Sequence, residues 1–309
     1  MSETPRPAQF ERETSAQGEF VRQESVFRRA VRGAAAAEFP AAAGRYHLYV
    51  SYDCPWAHRT ILYRRLKRLE ETISMTVVDP IRDQRGWAFT DAPRCGPDPV
   101  NGFRFLAEAY AATDASFDGR VTVPVLWDKE NSVIVNNESS EIIRMLNSEF
   151  DAWGDDTVDL YPTDLRSQID AVNERVYGEI NNGVYRCGFA TTQETYDAAF
   201  DGLFRALDWV EGLLADQHYL VGDRATEADW RLFPTLVRFD AVYVGHFKCN
   251  LRRIADYPNL AAYLARLHAL PGVAETIDMD HIKRHYYVTH RALNPTGVVP
   301  RGPALDFGG

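Results

Sequence analysis

The chain has 309 residues, 45% hydrophobic and 25% charged, so it can bury more than one core, and at about 100–200 residues per domain two domains are expected. A formal charge of −10, with Lys and Arg scattered among Asp and Glu, argues against a nucleic-acid partner. No apolar run approaches the roughly 20 residues needed to cross a bilayer, and the N-terminal MSETPRPAQFERETSAQGEF lacks the apolar stretch of a signal peptide; no membrane partner is expected, and the default location is cytoplasmic.

Residues 1–43 are polar and then alanine-rich, and read as an arm with one short helical piece over about 21–37. A β-prone run at 46–51 (YHLYVS) leads through Tyr52, Asp53, Cys54 and Pro55 into a helical pattern over 56–70, with Ala57, Ile61, Leu62, Leu66 and Leu69 on one face. Proline suits the first helical turn, and Arg64, Arg65, Lys67 and Arg68 gather where the macrodipole favours cations. A second strand follows at 73–78, then a long Pro-, Gly- and Asp-rich connection over 79–102 that holds Trp87. Helix over 103–112, strands over 121–127 and 132–135, and helix over 138–147 complete a β-α-β-α-β-β-α order, with Pro124 inside the third strand marking a cis bond.

This order is that of a thioredoxin-like α/β domain, assigned to 44–150. From about residue 165 the apolar spacing is helical throughout, as in Ala198, Phe200, Leu203, Leu207, Val210 and Leu214, so 151–290 is assigned to an all-α domain. The Pro- and Gly-rich 291–309 is read as an extended tail. Thr226 and Asp229 have the spacing of a helix capping box, a folding signal.

The four cysteines, Cys54, Cys95, Cys187 and Cys249, form no C-x-x-C pair, which excludes a zinc ribbon and a dithiol redox motif. The eight histidines include no metal-binding spacing, so no metal is expected. Cys54 differs from the other cysteines by its place: at a helix start, unsatisfied N–H groups and the positive end of the dipole stabilise a thiolate. A lone thiolate without a second nearby cysteine cannot resolve its own mixed disulfide, which points to an external thiol, glutathione. Glutathione needs an extended backbone edge and donors for its γ-glutamyl end; Val123 before Pro124 offers the first, and Glu138 and Ser139 at a helix start offer the second. Tyr185, Tyr243, Tyr286 and Tyr287 sit in polar or glycine-flanked contexts rather than on clean apolar stripes; taken singly, each is more often structural.

At Cys54-Pro55-Trp56-Ala57-His58-Arg59 the chain resembles the Xi-class glutathione transferases, the glutathionyl-hydroquinone reductases. The resemblance runs from about Tyr46 to Gly302. It includes Asp98-Pro99-Val100-Asn101-Gly102, Asn181-Asn182-Gly183-Val184-Tyr185, blocks within 227–250, and His281-Ile282-Lys283 through Tyr287. It implies a thioredoxin-like N-terminal domain followed by a helical glutathione-transferase C-terminal domain, and a homodimer. By position it implies Cys54 as nucleophile, Trp87 against glutathione, and Arg120, Val121, Thr122 and Val123 as its backbone and side-chain contacts. Glu138 and Ser139 would hold the γ-glutamyl end, Tyr185 would exchange a proton with the substrate, and Tyr243 and Tyr286 would donate to the Cys54 sulfur, with Tyr287 competing for the last role. The implied reaction reduces glutathionyl-hydroquinones to hydroquinones through a Cys54–glutathione mixed disulfide, releasing glutathione disulfide. The rival readings are an omega-type thiol transferase and a non-catalytic ligand-binding module.

Overall fold

Alternating bulky residues on a strand buried on both faces read as a continuous apolar run, and Tyr46–Val50 is that strand: β1, with Tyr46, His47, Leu48, Tyr49 and Val50 all at 0% exposure. In the computed structural model, which describes residues 13–305 and 307, β1 pairs in parallel with β2 (Ser74–Val77) and antiparallel with β3 (Val125–Asp128), and β3 pairs antiparallel with β4 (Val133–Asn136). The sheet order is β2-β1-β3-β4. Parallel neighbours need a crossover, here α1 (Pro55–Leu66); α2 (Leu106–Thr113) and α3 (Ser139–Ser148) complete the expected thioredoxin-like order.

Helix α1 is buried on nearly every face, Arg59 at 2% exposure among Ala57, Ile61, Leu62 and Tyr63. It stops at Leu66 rather than at 70. Arg68 turns to φ 53, and Arg64 reaches past the helix end to the carbonyls of Ile73 (2.6 Å) and Glu70 (3.0 Å), so one of the basic residues assigned to the macrodipole instead ties down the following turn. The third strand likewise begins at Val125, not 121. The Val123-Pro124 bond is cis, and Thr122 has given its N–H and C=O to the Tyr110 hydroxyl (3.1 and 2.8 Å) instead of to a ladder. The connection over 79–102 is organised by Asp98, whose carboxylate accepts from Tyr49 Oη (2.9 Å) and from the N–H groups of Val100 (3.0 Å), Asn101 and Phe103 (both 3.1 Å).

The arm has no helix over 21–37. It runs extended beside β4: Arg28 bridges antiparallel to Asn136, Arg29 N–H donates to Val135 O (3.0 Å), and Asn137 N–H donates to Phe27 O (3.0 Å). An edge strand's unpaired groups outweigh the weak helical preference of a short alanine-containing stretch.

The second half is helical: α4 (Arg166–Arg175), α5 (Gly183–Phe189), α6 (Gln193–Leu213), α7 (Glu227–Arg238) and α8 (Pro258–His268). Asp229, fully buried, reaches back to Thr226 N–H at 2.7 Å and also accepts from Leu220 N–H (2.9 Å) and Tyr263 Oη (2.8 Å). Wide π-helical turns follow three helices, at Val176–Asn181, at Phe239–Tyr243, and at His285–Thr289 after α9 (Met279–Arg284). No described helix is long and apolar enough to cross a membrane.

Contacts group the chain into two compact units whose limits differ from the sequence-assigned boundaries. Gln23–Val158 and Thr276–Thr289 form the first; Asp159–Glu275, with the described parts of Arg12–Arg22 and His290–Gly309, forms the second. Helix α9 and its π turn therefore belong with the sheet. Hydrogen bonds from buried histidines hold them there: His58 Nε2 to Thr276 Oγ1 (2.8 Å), His281 Nε2 to Pro93 O (2.8 Å), and His285 Nδ1 to Pro80 O (2.7 Å). Periodicity identifies a helix but not the core against which it docks.

Candidate functional site

Cys54 is the N-cap of α1, with extended φ −76 and ψ 119 and with Pro55 opening the helix. Its carbonyl accepts the first helical bond, from His58 N–H at 2.9 Å, while its partly exposed side chain sits at the positive end of the helix. The thiol donates to Val123 O at 3.6 Å, which sets it beside the cis Val123-Pro124 bond. That contact belongs to the thiol alone, since a thiolate has no hydrogen to give. The other three cysteines are placed differently. Burial, helped by the Asp79 carboxylate, pushes the Cys95 thiol up to about 12, and burial next to Cys187 pushes Cys249 up as well. Low dielectric keeps both protonated.

Of the four consecutive residues assigned to glutathione contacts, Thr122 has its backbone committed to Tyr110, and its hydroxyl lies 3.2 Å from Tyr110 Oη and 3.3 Å from Asn137 Nδ2. Its role is to fix the turn. Val121 and Val123 are each 4% exposed, and Arg120 is half-buried. Among the described residues the Val123 N–H has no hydrogen-bond partner, so the backbone edge beside Cys54 retains a donor.

Glu138 is the N-cap of α3. Its carboxylate accepts from Ser140 N–H (3.0 Å) and Ser140 Oγ (2.8 Å) and, on its other oxygen, from Ser25 Oγ (3.0 Å). Ser139, 3% exposed, accepts from Arg59 Nη1 at 3.4 Å. Arg59 escaped the sequence reading. Its guanidinium lies 4.5 Å from the Trp56 ring centroid and joins the starts of α1 and α3. The available signal was a charged residue on an otherwise buried helix.

Trp87 is 4% exposed and stacks on His285 at 5.2 Å and 13°, with the Arg82 guanidinium 5.1 Å from its ring. Tyr286, 1% exposed, belongs to the same unit; Tyr287 is half-buried, and burial raises its phenol above the ordinary value. Tyr185 and Tyr243 belong to the second unit and meet there at 6.2 Å, both against Phe247 (5.4 Å each). Tyr243 and Tyr286 each lie on a π-helical turn, and Tyr185 lies on α5 shortly after the third such turn. Such turns recur at functional sites because the extra residue re-aims side chains. Among the described residues no cluster of His, Cys, Asp and Glu is suited to a metal.

Comparison with known proteins gives two family matches, "Glutathione S-transferase, N-terminal domain" over residues 53–149 and "Glutathione S-transferase, C-terminal domain" over 193–266. The chain is 54% identical to glutathionyl-hydroquinone reductase PcpF of Sphingobium chlorophenolicum, over 96% of this chain and 93% of that protein. It superimposes on the Xi glutathione S-transferase of Phanerochaete chrysosporium with a TM-score of 0.92 at 48% identity, covering 94% of this chain and 95% of that one. For glutathione-bound YqjG, a glutathione transferase homologue of Escherichia coli, the TM-score is 0.88 at 47% identity, covering 91% and 94%. With a cysteine-capped helix beside a cis-proline edge, a helical C-terminal half and likeness along nearly its whole length, the chain belongs to the glutathione S-transferase family, in the Xi class.

Proposed function

We propose that this chain is a glutathionyl-hydroquinone reductase working through Cys54. The carrying observation is the N-cap position of Cys54 beside the cis Val123-Pro124 edge, in a chain 54% identical to a protein of that name. In the first half-reaction the Cys54 thiolate attacks the glutathione sulfur of the conjugate. A sulfur–sulfur bond forms, the sulfur–carbon bond breaks, and its electron pair goes to the ring carbon, which takes a proton. The products are hydroquinone and the Cys54–glutathione mixed disulfide. A second glutathione thiolate then attacks that disulfide, glutathione disulfide leaves, and the Cys54 thiolate is restored.

Glutathione is the co-substrate, and the site's chemistry fits it. The Val123 N–H would pair with its cysteinyl backbone, Arg120 and Val121 would border the same edge, and Trp87 would support it from within the unit. Ser139, held by Arg59, and Glu138 would receive the γ-glutamyl end. Tyr185 would deliver the ring proton, and Tyr243 and Tyr286 would donate to the Cys54 sulfur. No metal enters this chemistry. A homodimer and a cytoplasmic, glutathione-rich location complete the reading; size-exclusion chromatography with light scattering tests the first.

The test is intact mass after exposure to glutathionyl-menadiol without free glutathione. A glutathionyl adduct mapped to Cys54 is expected, and absence of the adduct overturns the mechanism. Dehydroascorbate as competing substrate separates the omega-type reading: faster turnover of dehydroascorbate than of glutathionyl-menadiol overturns the hydroquinone assignment.

A further inference from the structure

One imidazole touches the surroundings of three residues assigned to the site. His285, 7% exposed, has Nδ1 2.7 Å from Pro80 O and 3.4 Å from Asp53 Oδ2. Both neighbours are acceptors, so Nδ1 carries a hydrogen whatever the charge of the ring. The same ring stacks on Trp87 and immediately precedes Tyr286. Asp53 is fully buried, immediately precedes Cys54, and accepts from Ser51 Oγ on its other oxygen. A buried carboxylate one residue from the sulfur opposes formation of a second negative charge there, and it competes with the sulfur for the positive end of α1. Left uncompensated, it would work against a Cys54 thiolate.

We propose that His285 is a positioning residue for the Cys54 thiolate: its Nδ1–H, donated to Pro80 O, lies 3.4 Å from Asp53 Oδ2 and turns the positive end of its dipole towards that carboxylate, partly compensating it, while its ring fixes Trp87 and the start of the turn bearing Tyr286. The inference rests on the reading of Cys54 as the working thiol. Charged and titratable groups near the pair include Arg82 over Trp87, the Cys95 thiol on which Asp53, Asp79, Asp278 and Arg284 act, His281 on α9, and the Tyr286 ring 5.4 Å from His285.

The experiment is the rate of iodoacetamide alkylation of Cys54 against pH, read by mass mapping of its peptide, in the full-length chain. His285→Phe keeps a ring for Trp87 and removes the donor; at pH 7 alkylation is expected to slow about tenfold, the equivalent of one unit in the thiol's titration. His285→Asn keeps an amide donor near the Nδ1 position and should stay within about threefold of wild type. Adding Asp53→Asn to His285→Phe removes the charge that needed holding and should bring the rate back to within about threefold of Asp53→Asn alone. A His285→Phe rate equal to wild type, or a double variant as slow as His285→Phe, overturns the proposal. If His285→Phe does not fold, His285→Gln, whose amide lies one methylene farther out, takes its place with the same expectation. Alkylation reads the thiol without substrate, so absence of a glutathionyl adduct on the wild-type protein would sink the reductase reading while leaving this test intact.

Discussion

Tyr110 fixes the backbone edge proposed for glutathione more firmly than any residue assigned to that edge from sequence. Its hydroxyl donates to Thr122 O, accepts from Thr122 N–H, and lies 3.1 Å from Asn137 Nδ2, so one buried phenol fixes the turn that precedes the cis bond. Burial pushes that phenol up from its ordinary value, which keeps the hydroxyl a donor at every working pH. Tyr110→Phe leaves the Thr122 groups without their partner and is expected to cost about 1–3 kcal/mol in urea unfolding. It should also raise the KM for glutathione several-fold, with less effect on kcat, because the edge loosens while the Cys54 helix stays; an unchanged KM would remove Thr122 and its neighbours from the binding edge. The N-cap place of Cys54 was legible because proline, helix period and strand order converge there. Arg59 and Tyr110 were not, since both work by burial against segments far away in sequence, and spacing carries no record of that.

At the level of elements, short breaks in regular structure decide where side chains point. Gly188 on α5 shows the constraint: a Cβ there would meet Phe247 Cδ1 at 2.2 Å, and Phe247 stacks on Tyr243 at 5.4 Å and 12°. Gly188→Ala must push the ring aside, an overpacking cost of about 1–3 kcal/mol, and if Tyr243 serves Cys54 it should lower kcat as well. Thermal unfolding and turnover measured together check this, and a variant with wild-type values for both would show that the ring has room to move. The arm also acts as an element. Phe20 stacks on Tyr185 at 5.9 Å, the Arg22 guanidinium lies 4.8 Å from the Tyr185 ring centroid, and Arg22 Nε donates to Asn182 Oδ1 at 2.9 Å. Arg22→Gln removes a cation from the face of the phenol proposed to move the ring proton, and is expected to lower the hydroquinone-releasing step several-fold with little change in stability. A single-turnover rate equal to wild type would reduce the arm to packing. The sequence showed a polar, alanine-containing stretch without a strand pattern. Its strand-like pairing with β4 is imposed by an edge elsewhere in the chain, so local propensity pointed the wrong way.

For the whole molecule, the helical half and the thioredoxin-like order were readable from hydrophobic period alone, whereas the grouping of Thr276–Thr289 with the sheet was not, because it depends on three buried histidine contacts. Other histidines link both units to pH. His47 lies in the central strand between Ser74 Oγ (2.7 Å) and Thr76 Oγ1 (3.0 Å), and burial lowers it to about 4; His246 in the second unit, 6% exposed, is also lowered to about 4 by burial. A histidine whose folded value is depressed binds its proton more readily in the unfolded chain. Its stability contribution is therefore complete above about 6.5 and is lost as pH falls from there towards 4. At about 1.36 kcal/mol per unit, each contributes on the order of 1–3 kcal/mol across that window, with the less completely enclosed His246 towards the lower end because solvent screens it. Carboxylates held low by arginine, such as Asp256 beside Arg253, act in the same direction but only as pH falls through the carboxylate range. The urea midpoint should accordingly drop between pH 6.5 and 4.5, before the carboxylates titrate. His47→Gln and His246→Gln should each flatten part of that drop while lowering the midpoint at pH 7. If both variants keep the wild-type slope in this window, the acid sensitivity lies elsewhere and the two imidazoles titrate alike in folded and unfolded chains.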